Sequence, residues 1–237
     1  MRNLKALGLG LVAAFAMSAV MASAVQAQGA AAITIEGGSG IVTAEGDEGE
    51  RAVFTRQGRT VTCHNEHFEA TVFNGDTTIT AVPKYSNCTS SLGPATVTMN
   101  SCHYLFHLTG DSTGVGVEDT WTATADLNCT TPGDKAYIHI YSSAANHASN
   151  TVLCTFEFGE QSGLPGIDLT NKAAGGTTPN NWVTAHIDVE KIVSKRTAGS
   201  TLICGSENDS AGTLEGLAEI KGKNHAGEPR GITISTH

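Results

Sequence analysis

Aromatic side chains are scarce in this 237-residue chain, at 5%, and charged ones come to only 16%. With two tryptophans, Trp121 and Trp182, few platforms exist on which a sugar ring could stack. Positive charge is scarcer than negative: 14 Lys and Arg stand against 23 Asp and Glu, for a formal net charge of −9. A surface of that sign repels phosphate backbones and anionic lipid, which excludes nucleic acid as the expected partner. None of the six cysteines lies at the two-residue gap of a zinc ribbon or a thiol-exchange motif. Beyond residue 27 no apolar run reaches the roughly 20 residues that span a bilayer, so no membrane insertion is expected once the N-terminus is removed.

That N-terminus is the clearest signal in the chain. Arg2 and Lys5 precede an apolar run from Ala6 to Met21, and Val25-Gln26-Ala27 offers small residues at the two positions a signal peptidase reads. Residues 1–27 are therefore expected to be a signal peptide, helical in its apolar part, with Gln28 as the new N-terminus. Ala22-Ser23-Ala24 is a second acceptable site. Cleavage removes two of the basic residues and moves the formal charge from −9 to −11.

The remainder is rich in threonine, with 30 residues in the chain, and in glycine, with 27. Threonine suits a half-exposed pleated surface, and glycine turns the chain between strands. Tyr137 to Tyr141 and Val183 to Glu190 alternate strictly between apolar and polar. Shorter runs of the same kind are Ile33–Glu36, Ile41–Ala44, Ala52–Thr55, Thr60–Cys63, Phe68–Val72, Thr77–Val82, Thr96–Met99 and His103–Leu108. Trp121–Ala125, Thr151–Phe158, Ile167–Thr170, Thr201–Cys204, Leu214–Ile220 and Ile232–Ser235 continue the series. Many short strands divided by turn clusters such as Asn74-Gly75-Asp76 and Thr131-Pro132-Gly133-Asp134 predict an all-β fold, an antiparallel β-sandwich, with two stacked β halves as a variant. Residues 28–58, Gly-rich and acidic, are expected as an arm or outer hairpin, and 59–237 as the sandwich domain, with a sub-boundary near 109–116. Asn87-Cys88-Thr89-Ser90 and Asn128-Cys129-Thr130-Thr131 read alike, too briefly to establish a repeat.

Cys63, Cys88, Cys102, Cys129, Cys154 and Cys204 all follow the signal, and an even number in an exported chain predicts three disulfides. Fifteen connectivities exist for six cysteines; the expected one is Cys88–Cys102, Cys129–Cys154 and Cys63–Cys204, two short loops and one long tie. The run Pro83-Lys84-Tyr85-Ser86-Asn87-Cys88, followed by Ala95-Thr96-Val97-Thr98-Met99-Asn100-Ser101-Cys102-His103-Tyr104, resembles a pattern in uncharacterised secreted all-β bacterial proteins. That resemblance implies a shared fold and a Cys88–Cys102 pair, and it brings no activity and no catalytic residues.

Four groups of residues bear on chemistry. Gly110-Asp111-Ser112-Thr113-Gly114 fits the pattern of a hydrolase nucleophile elbow, but Val115 to Thr120 do not read as the helix an elbow needs, and the one catalytic-type histidine segment, Val183-Thr184-Ala185-His186, lies downstream. His64 and His67 could share a zinc or copper ion if they lay on a turn, with Glu66 or Glu69 assisting, whereas His103 and His107 on a strand stand about 13 Å apart. Glu45, Asp47, Glu48 and Glu50 do not have the spacing of an EF-hand loop. Glu157 and Glu160 invite a glycosidase reading that needs two carboxyls about 5–9.5 Å apart.

The expected function is a secreted or cell-surface, non-enzymatic β protein with a structural or binding role, using no cofactor and meeting a cell-envelope or extracellular partner. A secreted hydrolase built on Ser112 or a Glu pair is one alternative. An extracellular transition-metal-binding protein using His64 and His67 is the other.

Overall fold

In the computed structural model, residues 30–46, 51–112, 119–142, 151–174 and 180–236 are described, without the side chains of residues 111 and 112. Fifteen strands and one short helix appear among them. The first strands are β1 (Ala31–Ile35), β2 (Ser39–Gly46), β3 (Ala52–Arg56), β4 (Arg59–Phe73), β5 (Thr78–Ser90), β6 (Gly93–Thr98), β7 (Cys102–Ser112) and β8 (Thr120–Cys129). They are followed by β9 (Ala136–Tyr141), β10 (Val152–Phe158), β11 (Gln161–Lys172), β12 (Trp182–Ala198), α1 (Thr201–Cys204), β13 (Asn208–Lys223), β14 (Pro229–Arg230) and β15 (Ile232–Thr236). The expected signal peptide lies outside the described residues, as do residues 113–116 of the expected sub-boundary at 109–116.

The protein is all-β and antiparallel, a sandwich whose layers are joined along their edges. Hydrogen-bonded neighbours run β5, β7, β8, β11, β12, β13, β2 and β4, and β4 returns to β5. A second circuit runs β5, β6, β9, β10, β12, β13, β3 and β4, again closing on β5. The four long strands β4, β5, β12 and β13 belong to both circuits, so the two β halves share one wall.

A strand that serves two circuits must change which face points inward as it passes between them. In β5 the buried set Ile79, Ala81, Pro83 gives way to Cys88, out of phase, and Asn87 between them has φ +53°. In β12 Val183 to Val189 are buried at odd positions, then Ile192 and Ser194 at even ones, with Lys191 at φ +63°. One extra residue in the left-handed region shifts the alternation by a step, as a β-bulge does. β4 makes the same shift between Cys63 and Glu66.

Both ends are closed. β1 pairs only with β15, and this small sheet buries Ile33, Ile35, Ile232 and Ile234 against the core. Asn171 holds it in place: its Nδ2 donates to Ile234 O and its Oδ1 accepts from Ile234 N, both at 2.8 Å. At the other end Arg56, 5% exposed, donates from Nε to Ser194 Oγ (2.9 Å) and from Nη2 to Ser206 O (2.8 Å) and Glu207 O (3.0 Å), with Phe156 beneath its guanidinium. Burial lowers the Arg56 pKa from the usual arginine range, and Asp209 opposes the shift.

Within the segment expected as an arm or outer hairpin, 28–58, β2 is bonded on both sides, to β13 and β4, and its apolar Val42 is buried. Two expectations need correction. Thr201–Cys204 is helix, not strand, since Ser200 Oγ accepts from Ile203 N and Gly205, at φ +83°, ends the turn. The disulfides join neighbours in sequence, Cys63–Cys88, Cys102–Cys129 and Cys154–Cys204, and among the described residues no cysteine is free. Cys63 faces Cys88 directly across β4 and β5, and Cys102 faces Cys129 across β7 and β8, so strand register decides the partners. The β5–β6 hairpin carries Cys88 toward Ala95, leaving Cys102 to β8.

Peptide mapping under non-reducing conditions is expected to recover these three bridges. Removing Cys154 and Cys204 together, which opens a 50-residue separation, is expected to cost about 4 kcal/mol in denaturant unfolding by the chain-entropy estimate, and the other two pairs about 3.5 kcal/mol each.

Candidate functional site

Among the described residues, the rungs of β2 and those of β3 leave a gap between them. The last rungs of β2 are Gly46 opposite Ala218 and Glu45 opposite His67; the first of β3 are Val53 opposite Glu215 and Ala52 opposite Cys63. Gly216 and Leu217 of β13, and His64, Asn65 and Glu66 of β4, fall between them. A hollow of about 740 Å³ lies at this break, lined by Arg51, Val53, His186, Asp188, Glu215 and Gly216 among others.

Glu66 is 7% exposed. It follows the inward phase of Phe68, Ala70 and Val72, so the alternation of β4 carries a carboxyl into an apolar wall. Its Oε1 has no hydrogen-bond partner among the described residues, and burial pushes its pKa up to about 7. A Cβ on Gly216 would stand 3.6 Å from its Oε2, so the missing side chain leaves room beside the carboxyl.

Tyr85 is opposite Glu66 in the β4–β5 register. Its hydroxyl is sealed from solvent, and the neighbouring Tyr104 hydroxyl is a polar group that acts on it. Burial raises both phenols, Tyr104 to about 12 and Tyr85 well above its ordinary value. Phe54 meets Tyr85 edge-on at 5.2 Å, Phe68 meets it at 6.1 Å, and Tyr104 lies 6.3 Å from Phe68 and 5.9 Å from Phe106. Five aromatic rings thus form one cluster.

Those rings also wall the interior. Three small apolar cavities, of about 50, 40 and 20 Å³, share lining residues from one to the next. Phe68, Phe106, Ile167 and Ile187 line the first and second; Phe54, Ile138, Phe158 and Ile192 line the second and third. The first is bounded by Ala44, Ala70, Ala81, Ala185 and Ala218, where larger side chains would have filled the space.

The residues singled out by sequence fall elsewhere. His64 is exposed and mid-strand rather than on a turn, while Glu66 beside it points inward, so the two do not converge. His67 lies 3.6 Å from Glu45 and 4.0 Å from Glu69. Among the described residues no three His, Cys, Asp or Glu side chains come together as a metal-ligand set. Ser112 stands opposite Trp121 in the ladder, but its side chain and residues 113–118 are outside the described residues, as are Asp47 to Glu50. His107 pairs with Asp126 at 2.9 Å; the Gly163 amide chiefly holds the Asp126 pKa down. Glu157 is paired with Lys135 at 2.7 Å, and Glu160 Oε1 accepts from the Cys129 amide at 3.2 Å, so each carboxylate has a structural partner. His139 packs flat on Tyr137 and its pKa is lowered by burial.

Glu66 gives a pH signature. Folding raises its pKa from the ordinary 4.5 to about 7, so the folded state holds the proton more tightly and its contribution is fully present below about pH 4.5. That contribution is lost as pH rises through 7. The stability difference between wild type and Glu66→Gln is expected to change by on the order of 3 kcal/mol between pH 4.5 and 8, in favour of the variant at the higher pH. Urea unfolding at a series of pH values checks it; a constant difference would contradict a buried, unpaired acid.

No family model, no curated protein and no solved structure matches the chain.

Proposed function

We propose that this is a secreted or cell-surface binding protein without a catalytic role, and that it holds a slender apolar ligand in the interior of its β wall. The observation that carries the reading is a set of three neighbouring apolar cavities that share lining residues, the first walled by five alanines. Ligand sites are commonly apolar enclosures with a few polar groups set into the wall, and Tyr104 and Gln161 line the second cavity here. An eight-stranded closed circuit has an interior of the size that either packs with side chains or accepts one small ligand. Three disulfides accord with an oxidising compartment.

Binding of 1-decanol is the direct test. At 100 times its dissociation constant a ligand stabilises the folded state by about 2.7 kcal/mol, which for a chain of this size raises Tm by roughly 5–10 °C. Filling the first cavity with Ala185→Val and Ala218→Val together is expected to leave the empty protein as stable as wild type and to abolish the shift. Absence of a shift in wild type, or an equal shift in the filled variant, would overturn the reading.

Export has its own test. N-terminal sequencing of the protein recovered outside the cytoplasm is expected to begin at Gln28, and a product retaining Met1 to Ala24 would contradict it.

A further inference from the structure

We propose that α1 docks the protein onto a bilayer surface that carries anionic headgroups, with Leu202 and Ile203 entering the interface and Arg59 and Arg196 meeting the phosphates around them. The inference does not depend on the interior cavities or on what they hold.

The starting observation is an apolar tip fixed in place. Leu202 is 90% exposed and Ile203 42%. The turn that carries them is held from several sides. Cys204 is bridged to Cys154, and Ser200 Oγ accepts from Ile203 N at 3.3 Å. Arg59 donates from Nε to Ile203 O (2.6 Å) and from Nη2 to Leu202 O (3.3 Å). Arg196 donates from Nε to Gly205 O (3.0 Å), from Nη2 to Thr201 Oγ1 (3.1 Å) and from Nη1 to Gly199 O. Arg56 donates from Nη1 to Cys204 O at 3.3 Å. Three arginines and a disulfide thus order a turn whose two large apolar side chains face solvent. A contact surface ordered beforehand loses little conformational freedom when it binds.

The same bonds suit the tip to a lipid interface. The carbonyls of Gly199, Leu202, Ile203, Cys204 and Gly205 each accept from an arginine. Backbone satisfied in this way can leave water without stranding its polar groups, which is the condition for entering an apolar medium. A side chain nine-tenths exposed projects from the surface. Lipid yields around a projection, whereas a protein partner must supply a pocket of matching shape.

Charge selects the headgroup. Arg59 and Arg196 both act electrostatically on Arg56, and Asp209 opposes them; Lys195 beside them is paired with Glu207 at 3.6 Å. The tip therefore carries surplus positive charge on a chain whose formal charge is −9. At physiological salt, charges more than about 8 Å away are largely screened, so the arginines at the tip govern its approach to a surface rather than the net charge of the chain. An anionic leaflet attracts each such residue. A second copy of the chain is disfavoured as the occupant, since tip against tip would bring like charges together. Two apolar side chains with a cationic collar give reversible adsorption, far weaker than a membrane span.

The test is flotation of the oxidised mature chain with vesicles of phosphatidylcholine, with and without phosphatidylglycerol, at low ionic strength. Partition onto the phosphatidylglycerol vesicles is expected to be about tenfold higher than onto phosphatidylcholine alone, and to fall in about 0.5 M salt. Leu202→Ser, at a site too exposed to affect folding, is expected to weaken it about tenfold. In Leu202→Trp, brominated lipid is expected to quench the added emission, while the emission of Trp121 and Trp182 in the wild type stays unquenched. Equal partition onto both vesicles would overturn the headgroup assignment, and partition indifferent to Leu202→Ser, or an unquenched Leu202→Trp, would overturn the tip. Absence of partition onto either vesicle would overturn the proposal and leave an acidic-rimmed protein pocket as the occupant. None of these outcomes bears on the decanol test.

Discussion

Closure of the hydrogen-bonded wall is the constraint from which the other features follow. Because β4, β5, β12 and β13 each supply rungs to two circuits, most backbone donors and acceptors of the long strands are satisfied without a free edge, and an edge is where a sheet is open to pairing with another chain. Serving two circuits obliges the side chains to change face midway, which is why Asn87 and Lys191 occupy left-handed backbone in the middle of otherwise regular strands. The bridges follow the same plan: Cys63–Cys88 fastens two shared strands, Cys102–Cys129 lies in one circuit and Cys154–Cys204 in the other.

A closed wall also sets the volume that side chains must fill. Inward positions occupied by Ala44, Ala70, Ala81, Ala185 and Ala218 leave that volume partly empty, whereas the far end is filled by Arg56 and Phe156. The inward carboxyl of Glu66 belongs to this economy of space rather than to the surface ion pairs around it. Exposed pairs such as Lys195 with Glu207 contribute little to stability. A buried acid such as Glu66 opposes folding when ionised.

Much of the fold could be read from local alternation, because a half-buried strand writes its burial directly into the residue pattern. Tyr137 to Tyr141 and Val183 to Val189 did so, and their inward sets are the ones the alternation assigns. Where a strand changes face, the pattern breaks and imitates a strand end, so Thr60–Cys63 and Phe68–Val72 read as two strands although β4 is continuous. Capping by Ser200 and Gly205 could have identified α1, but Thr201-Leu202-Ile203 has the composition of a strand. The disulfide partners depend on register between distant segments, which no local pattern carries. Glu66 was visible only as a helper to His64 and His67; its phase with Phe68 and Ala70 was the available sign that it points the other way.

The order of the bridges has a bearing on how the chain acquires them. Each cysteine is joined to the next one along: first to second, third to fourth, fifth to sixth. A polypeptide delivered N-terminus first into an oxidising space therefore presents every correct partner as the next thiol to arrive. An oxidant that simply linked cysteines as they emerged would produce the native set, with no interlaced bridge to be reshuffled afterwards.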